Sequence, residues 1–325
     1  EYEIYPRSRL LKSLGATVLA RIWPTEFRTN VSDGDISDLA LDWVREQKAS
    51  DFFLWVHYFD PHHPYMPPPK FRPGSTPPPQ MGPRFREFRE VRQGIFVPNA
   101  DQRAWIQELY RGEVRSTDRH LGTLIDGLRD LGLYDDSLIV ITSDHGEEFW
   151  EHEGLEHGHS LYREVLAVPL MIKFPGSQTK GEVSDFVSTE RVMATVLDAC
   201  GIRYAPQDVA PPLLLRDGVE THAEPVVSTA PLYYENRIAV RFERYWYIHS
   251  LLTDLEELYD LEKDAEERFS IAESAPEELQ RARNVLAGWS DRMSALRQLY
   301  SIERTNEILL NPSTEESLRS LGYIQ

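Results

Sequence analysis

Cysteine is nearly missing from this chain. Cys200 is the single example in 325 residues, so no intrachain disulfide can form. That suits the cytosol and equally a periplasm, where many proteins lack disulfides. The context Met193-Ala-Thr-Val-Leu-Asp-Ala-Cys-Gly reads as an apolar helical run with the thiol as a small buried hydrophobe. No apolar stretch approaches the ~20 residues of a membrane-spanning helix. The chain opens at Glu1-Tyr-Glu-Ile with neither an initiator Met nor a signal peptide, so targeting is not legible. Cations are scarce too. With 35 Lys and Arg against 53 Asp and Glu, the formal net charge is −18, which repels phosphate backbones and argues against a nucleic-acid partner. An anionic substrate then needs a local cation, which a bound metal or clustered His can supply.

What is present suggests an ordinary buried core, since 41% of residues are hydrophobic. Residues 1 to about 30 read as a partly helical lead-in. Ser32 and Asp33 can cap a helix whose Ile36, Leu39, Trp43 and Val44 repeat at helical spacing. Asp51 to Phe59 reads as a buried strand, ended by Asp60-Pro-His-His-Pro-Tyr. From Met66 to Asn99 a loop rich in Pro and Arg follows, in which Arg84, Arg86 and Arg89 can meet an anionic substrate or simply face water. Asp101 opens a long helix with Ile106, Leu109, Tyr110, Val114, Leu121, Leu124, Ile125 and Leu128 inward and Gly132 as its stop. Ser137 to Ser143 is a second buried strand and Val165 to Phe174 a third, irregular around Pro169. Ser188 to Ala199 is a further helix. The alternation predicts an α/β sandwich around a mostly parallel sheet over residues 1–211. From 212 to 325 the texture predicts a small α+β subdomain with antiparallel strands and a terminal helix from about Pro276.

Chemistry concentrates at strand ends. Thr142-Ser-Asp-His-Gly-Glu follows a strand directly, where open parallel sheets place ligands. Asp144 and His145 offer a hard oxygen and a neutral nitrogen, a mix that suits Zn or Mn better than Ca. The bland reading is a polar turn. Downstream, His152, His157 and His159 sit among acids, where they can add ligands or hold an anion, or else face water in a solvated acidic loop. His57, His62 and His63 lie at the end of the other strand.

In order along the chain, Asp60-Pro-His-His-Pro-Tyr-Met-Pro-Pro, Tyr110-Arg-Gly-Glu-Val with Asp118-Arg-His-Leu-Gly, Thr142-Ser-Asp-His-Gly-Glu, His157-Gly-His-Ser-Leu-Tyr-Arg-Glu, Val168-Pro-Leu-Met-Ile, Glu257-Leu-Tyr-Asp-Leu and Ser320-Leu-Gly-Tyr-Ile resemble the sulfatases of the alkaline phosphatase-like superfamily. The resemblance implies a three-layer α/β/α sandwich and the hydrolysis of a small-molecule or glycan sulfate ester. One divalent metal is implied, Ca by family habit, with Zn or Mn as alternatives. Asp144 and His145 resemble the C-terminal pair of metal ligands. His62 resembles the His that contacts the leaving group. His157 falls where many relatives place a Lys on the sulfuryl oxygens, with His159 and His57 as further substrate contacts. A periplasmic or extracellular setting goes with the family.

The sequence also departs from the family pattern. Two further Asp ligands and a Cys-x-Pro-x-Arg segment, whose Cys becomes formylglycine, have no counterpart here. The expectation is therefore a chain truncated at its N-terminus and inactive alone. Phosphodiesterases, phosphonate hydrolases and phosphoglycerol transferases share the fold, and a non-catalytic metal- or anion-binding remnant is a further alternative.

Overall fold

The computed structural model describes residues 4–5, 32–47, 50–176, 180–183, 186–204, 210–213, 215–216, 219–220, 225–229 and 236–299. The lead-in other than residues 4–5, and the closing Ser320-Leu-Gly-Tyr-Ile, fall outside that range. The architecture is mixed α/β. It divides into one unit of Glu1–Ile139 with Ile172–Ser177 and a second of Val140–Met171 with Gln178–Gln325.

In the first unit, β1 (Ile4–Tyr5) pairs antiparallel with β2 (Phe53–Leu54). Helix α1 (Asp33–Gln47) starts with reciprocal capping, as the Asp35 amide donates to Ser32 Oγ and the Ser32 amide to the Asp35 carboxylate. Its buried arc runs through Ile36, Ser37, Ala40, Leu41 and Val44. At about 100° per residue, Leu39 falls outside that arc, and it is 52% exposed instead of inward. The strand around β2 is likewise not buried on both sides. Phe52, Leu54 and Val56 turn inward, the latter two onto Ala40, Leu41 and Leu124, while Phe53 and Trp55 face out. A continuous apolar run thus conceals a period of two.

Two more helices follow, α2 (Phe88–Arg92) and the long α3 (Ala100–Asp130). Asn99 and Gln102 form a capping box at the start of α3, and Gly132 at φ 70° follows its C-cap Leu131. Ile106, Leu109, Leu124 and Leu128 are inward as expected, but Val114 is exposed. Where an apolar residue was expected, the middle of α3 buries Gly112, Glu113 and Ser116. A Cβ on Gly112 would lie 2.6 Å from the Phe71 carbonyl oxygen, so the loop after residue 66 lies flush on the helix.

Strand β3 (Ile139–Thr142) lies beside β6 (Leu170–Lys173), and the division between units passes through both. In the second unit, β4 (Glu148–Phe149) and β5 (Leu155–Glu156) make a small hairpin. Arg163–Leu166 is a short helix, α4, so the expected third strand begins only at Leu170, after Pro169. Helix α5 (Arg191–Ala199) ends at Cys200, whose thiol is exposed and not buried, because its last turn faces away from the packed side carrying Ala194 and Thr195. β7 (Leu215–Arg216) pairs with β8 (Val219–Glu220).

The expected antiparallel strands are present as a four-stranded sheet. β9 (Val226–Thr229), β10 (Arg237–Phe242), β11 (Tyr245–Ser250) and β12 (Glu256–Asp260) lie in spatial order β12-β11-β10-β9. Both faces are covered. Val240, Phe242, Tyr247 and Leu258 pack under Leu279, Ala282 and Val285 of α6 (Pro276–Leu299). Ala239, Trp246, Ile248 and Tyr259 pack on the other side under Leu161, Tyr162 and Leu166. The Trp246 indole donates to the Leu161 carbonyl at 3.1 Å, tying the segment after His159 to this sheet.

Candidate active site

His145 follows directly from β3 by way of Ser143 and Asp144. Its Nδ1 lies 2.8 Å from the Gly146 carbonyl. A carbonyl only accepts, so Nδ1 carries the proton and Nε2 presents a lone pair. Gly146 is needed for room: its amide donates to the Val165 carbonyl at 2.6 Å, and a Cβ would sit 2.1 Å from the Glu164 carbonyl oxygen. The His145 ring stacks on His157 with centroids 3.7 Å apart. His157 Nδ1 in turn meets Glu147 Oε1 at 2.8 Å. One ligand atom from each of His145, Glu147 and His157 lies within 4.8 Å of the others. Two imidazole nitrogens and a carboxylate oxygen form a donor set that fits a divalent ion. The Asp144 carboxylate is 69% exposed, with Oδ1 3.8 Å from His145 Nε2.

The acids around these His are not a solvated loop. Glu148 is fully buried and receives His159 Nε2 at 2.7 Å, along with the His152 and Gly154 amides. Burial raises the Glu148 pKa, but these bonds and the His159 charge outweigh it and hold the carboxyl low. Burial also works against the His159 cation; the Glu148 bond and charge prevail, and its pKa is raised. His152 stacks on Tyr162 at 3.7 Å and meets Glu164 at 2.6 Å and the Glu267 carbonyl at 2.9 Å. Burial lowers its pKa, but these partners lift it to about 9. The Glu267 carboxyl accepts the Arg163 amide at 3.0 Å, and burial pushes its pKa up to about 7.

The other predicted residues belong to the first unit. His62 Nδ1 donates to the His63 carbonyl at 2.7 Å, and its ring lies 4.6 Å from Phe59 and 4.1 Å from His63. His57 is half-buried beyond β2. Behind this segment lies a group of buried carboxyls that sequence reasoning missed. Glu113 accepts the Met66 amide at 2.5 Å, and Asp33 accepts Thr117 Oγ1 at 2.5 Å. Burial, opposed by the Met66 bond and assisted by the Asp60 and Asp33 charges, lifts the Glu113 pKa to about 9. Burial and the Asp33 charge lift Asp60 to about 6. The available signal was Glu113 itself, an acid on the apolar face of α3. Of the loop arginines, Arg84 and Arg89 are exposed, and Arg86 reaches Met66 Sδ at 2.9 Å.

The structure of BT4656 in complex with its substrate D-glucosamine-2-N,6-O-disulfate matches with a TM-score of 0.61 at 17% identity, over 81% of this chain and 70% of that one. A phosphonate monoester hydrolase from Silicibacter pomeroyi matches with a TM-score of 0.63 at 20% identity, over 84% of this chain and 61% of that one. The fold is accordingly that of the alkaline phosphatase-like hydrolases. The sulfatase family model matches residues 5–202, more than half of the sequence, and the chain belongs to the sulfatase family. Bovine arylsulfatase K is 38% identical over 105 residues, which are 32% of this chain and 19% of that protein. The chain spans less than half the length of the curated relatives it matches.

Proposed function

We propose that this chain carries the second half of a sulfate-ester hydrolase site, with Asp144 and His145 as metal ligands and His62 at the leaving-group oxygen. The observation that supports this most is the convergence of His145 with Glu147 and His157 into one donor set, outside which the exposed Asp144 carboxylate lies. A divalent ion held there, Ca²⁺ by family habit or Zn²⁺ or Mn²⁺ by the imidazole content, would supply positive charge against ester oxygens. His145 and His157 both use Nδ1 to fix the ring, so Nε2 is the nitrogen of each that would meet the ion or the sulfuryl group. His62 keeps its proton on Nδ1, so its Nε2 carries one only when the ring is cationic; in that state it can protonate a departing alkoxide. His159 is a less direct substrate contact, because its charge is already engaged by Glu148. His57 completes the proposed set.

The nucleophile, a formylglycine in this reading, and two further Asp ligands would come from residues outside these 325. The chain alone is then expected to give no turnover of aryl sulfates. The substrate class in this reading is a sulfated small molecule or saccharide. The division after residue 211 into a catalytic part and a small C-terminal subdomain is also proposed, and limited proteolysis near 205–212 is its test. Phosphonate or phosphodiester hydrolysis is the second reading, favoured by the likeness to the phosphonate monoester hydrolase. The residue in the nucleophile position separates the two.

The deciding experiment is Mn²⁺ binding followed by EPR, on the chain and on its Asp144→Ala and His145→Ala variants. At least tenfold weaker binding in both is expected; equal affinity in all three would remove the metal assignment.

A further inference from the structure

The turn end of the β10–β11 hairpin borders an open cleft of about 650 Å³ that the sulfatase site does not use. That is within the roughly 300–1,000 Å³ of small-molecule sites. Arg163, Arg241, Arg244 and Arg281 all line it, in a chain whose net charge is −18. Two acids line it as well, and both are engaged: Glu262 takes Arg244 at 3.2 Å and Glu243 takes Arg281 at 3.0 Å.

Arg163 and Arg241 differ. Among the described residues neither guanidinium pairs with a carboxylate. Arg163 reaches the Ala265 carbonyl at 3.4 Å, and one Arg241 nitrogen donates to the Phe242, Glu243 and Tyr245 carbonyls. Arg241 Nε is buried and meets no acceptor, and the nearby Glu262 and Glu267 charges favour the cation without a direct ion pair among the described residues. A buried N–H left without an acceptor is costly, and an external oxyanion would satisfy it. Guanidinium forks match tetrahedral and planar oxyanions.

Aromatic rings fix the arginines in place. Arg241 lies 4.5 Å from the Phe186 centroid, while Arg244 and Arg281 lie 5.1 and 5.5 Å from that of Tyr245. Phe186 remains 40% exposed and forms an apolar wall beside the cationic one. A sugar ring carrying a sulfate presents both chemistries at once, a C–H face and an oxyanion. A long polyanion is disfavoured by the acidity of the rest of the surface.

The geometry points to a second, non-catalytic site in this cleft for a sulfated saccharide. It rests on the sulfatase reading only for the substrate class, and shares no residue with Asp144, His145, Glu147 or His157. The test is titration calorimetry at constant ionic strength with D-glucosamine-2-N,6-O-disulfate, unsulfated glucosamine and inorganic sulfate. The chain would carry His145→Ala, which removes the candidate metal centre. The expected result is binding of the disulfate, none of glucosamine, and at least tenfold weaker binding after Arg163→Gln with Phe186→Ala, both at exposed positions. Unchanged affinity in that double variant, or inorganic sulfate binding as tightly as the disulfate, would overturn the site. Loss of Mn²⁺ specificity at Asp144 and His145 would fault the catalytic reading and leave this titration unaffected.

Discussion

The rings of His145 and His157 lie stacked 3.7 Å apart, and each is held from behind through Nδ1, one by the Gly146 carbonyl and the other by Glu147. Each therefore keeps Nε2 unprotonated when neutral. Removing the Glu147 acceptor frees the His157 tautomer. We expect Glu147→Ala to weaken Mn²⁺ binding by about 10- to 100-fold, the usual penalty for lost ligand support. Unaltered affinity by EPR would show that Glu147 neither binds nor orients.

Gly146 permits a backbone approach that no side chain tolerates, with the Glu164 oxygen 2.1 Å from any Cβ. Gly146→Ala must push β3's outgoing turn away from residues 164–165. A loss of at least ~2 kcal/mol in denaturant unfolding is expected, in line with overpacking. An unchanged midpoint would mean that this approach is not held in solution.

Glu113 has a folded pKa of about 9 against an ordinary value of 4.5. The folded state then holds the extra proton between those limits. Stability contributed by this group is complete below about pH 4.5 and falls as pH rises toward 9. Glu113→Gln, which keeps the acceptor for the Met66 amide, is expected to flatten that slope. Chemical denaturation at pH 5, 7 and 9 decides the matter; parallel curves for variant and wild type would contradict the buried neutral acid.

His152 behaves as a base with its pKa raised from 6.5 to about 9. Its stabilising contribution is present below pH 6.5 and is lost as pH rises through about 9. The same rise ionises Glu267, whose pKa of about 7 makes it costly to leave buried. Protection factors in residues 150–164, which remove the intrinsic rise of exchange with pH, should therefore fall above pH 8, and His152→Ala should show that lower protection already at pH 6. Wild-type protection in the variant at pH 6 would refute this role for His152.

The sequence by itself determined the long helices, the C-terminal antiparallel strands and the motif order. Ser32 announces the start of α1 and Gly132 the stop of α3, because caps and stops act within four residues. The antiparallel strands from Val226 onward and the Asp144-His145 turn after β3 were legible for the same reason. Tertiary structure alone decided which side of each element is inside. Leu39 and Val114 lost their inward places to Ala40 and Glu113, because an inward face is defined by what covers it, and the periodicity alone left the choice open. It also decided the fate of the charges. Glu113 is buried with an amide 47 residues away, and Glu267 with one 104 residues away. His157 and His159, two positions apart, divide between Glu147 and Glu148. A carboxyl is held out of water only by partners that the completed fold brings to it, and no local spacing records those partners.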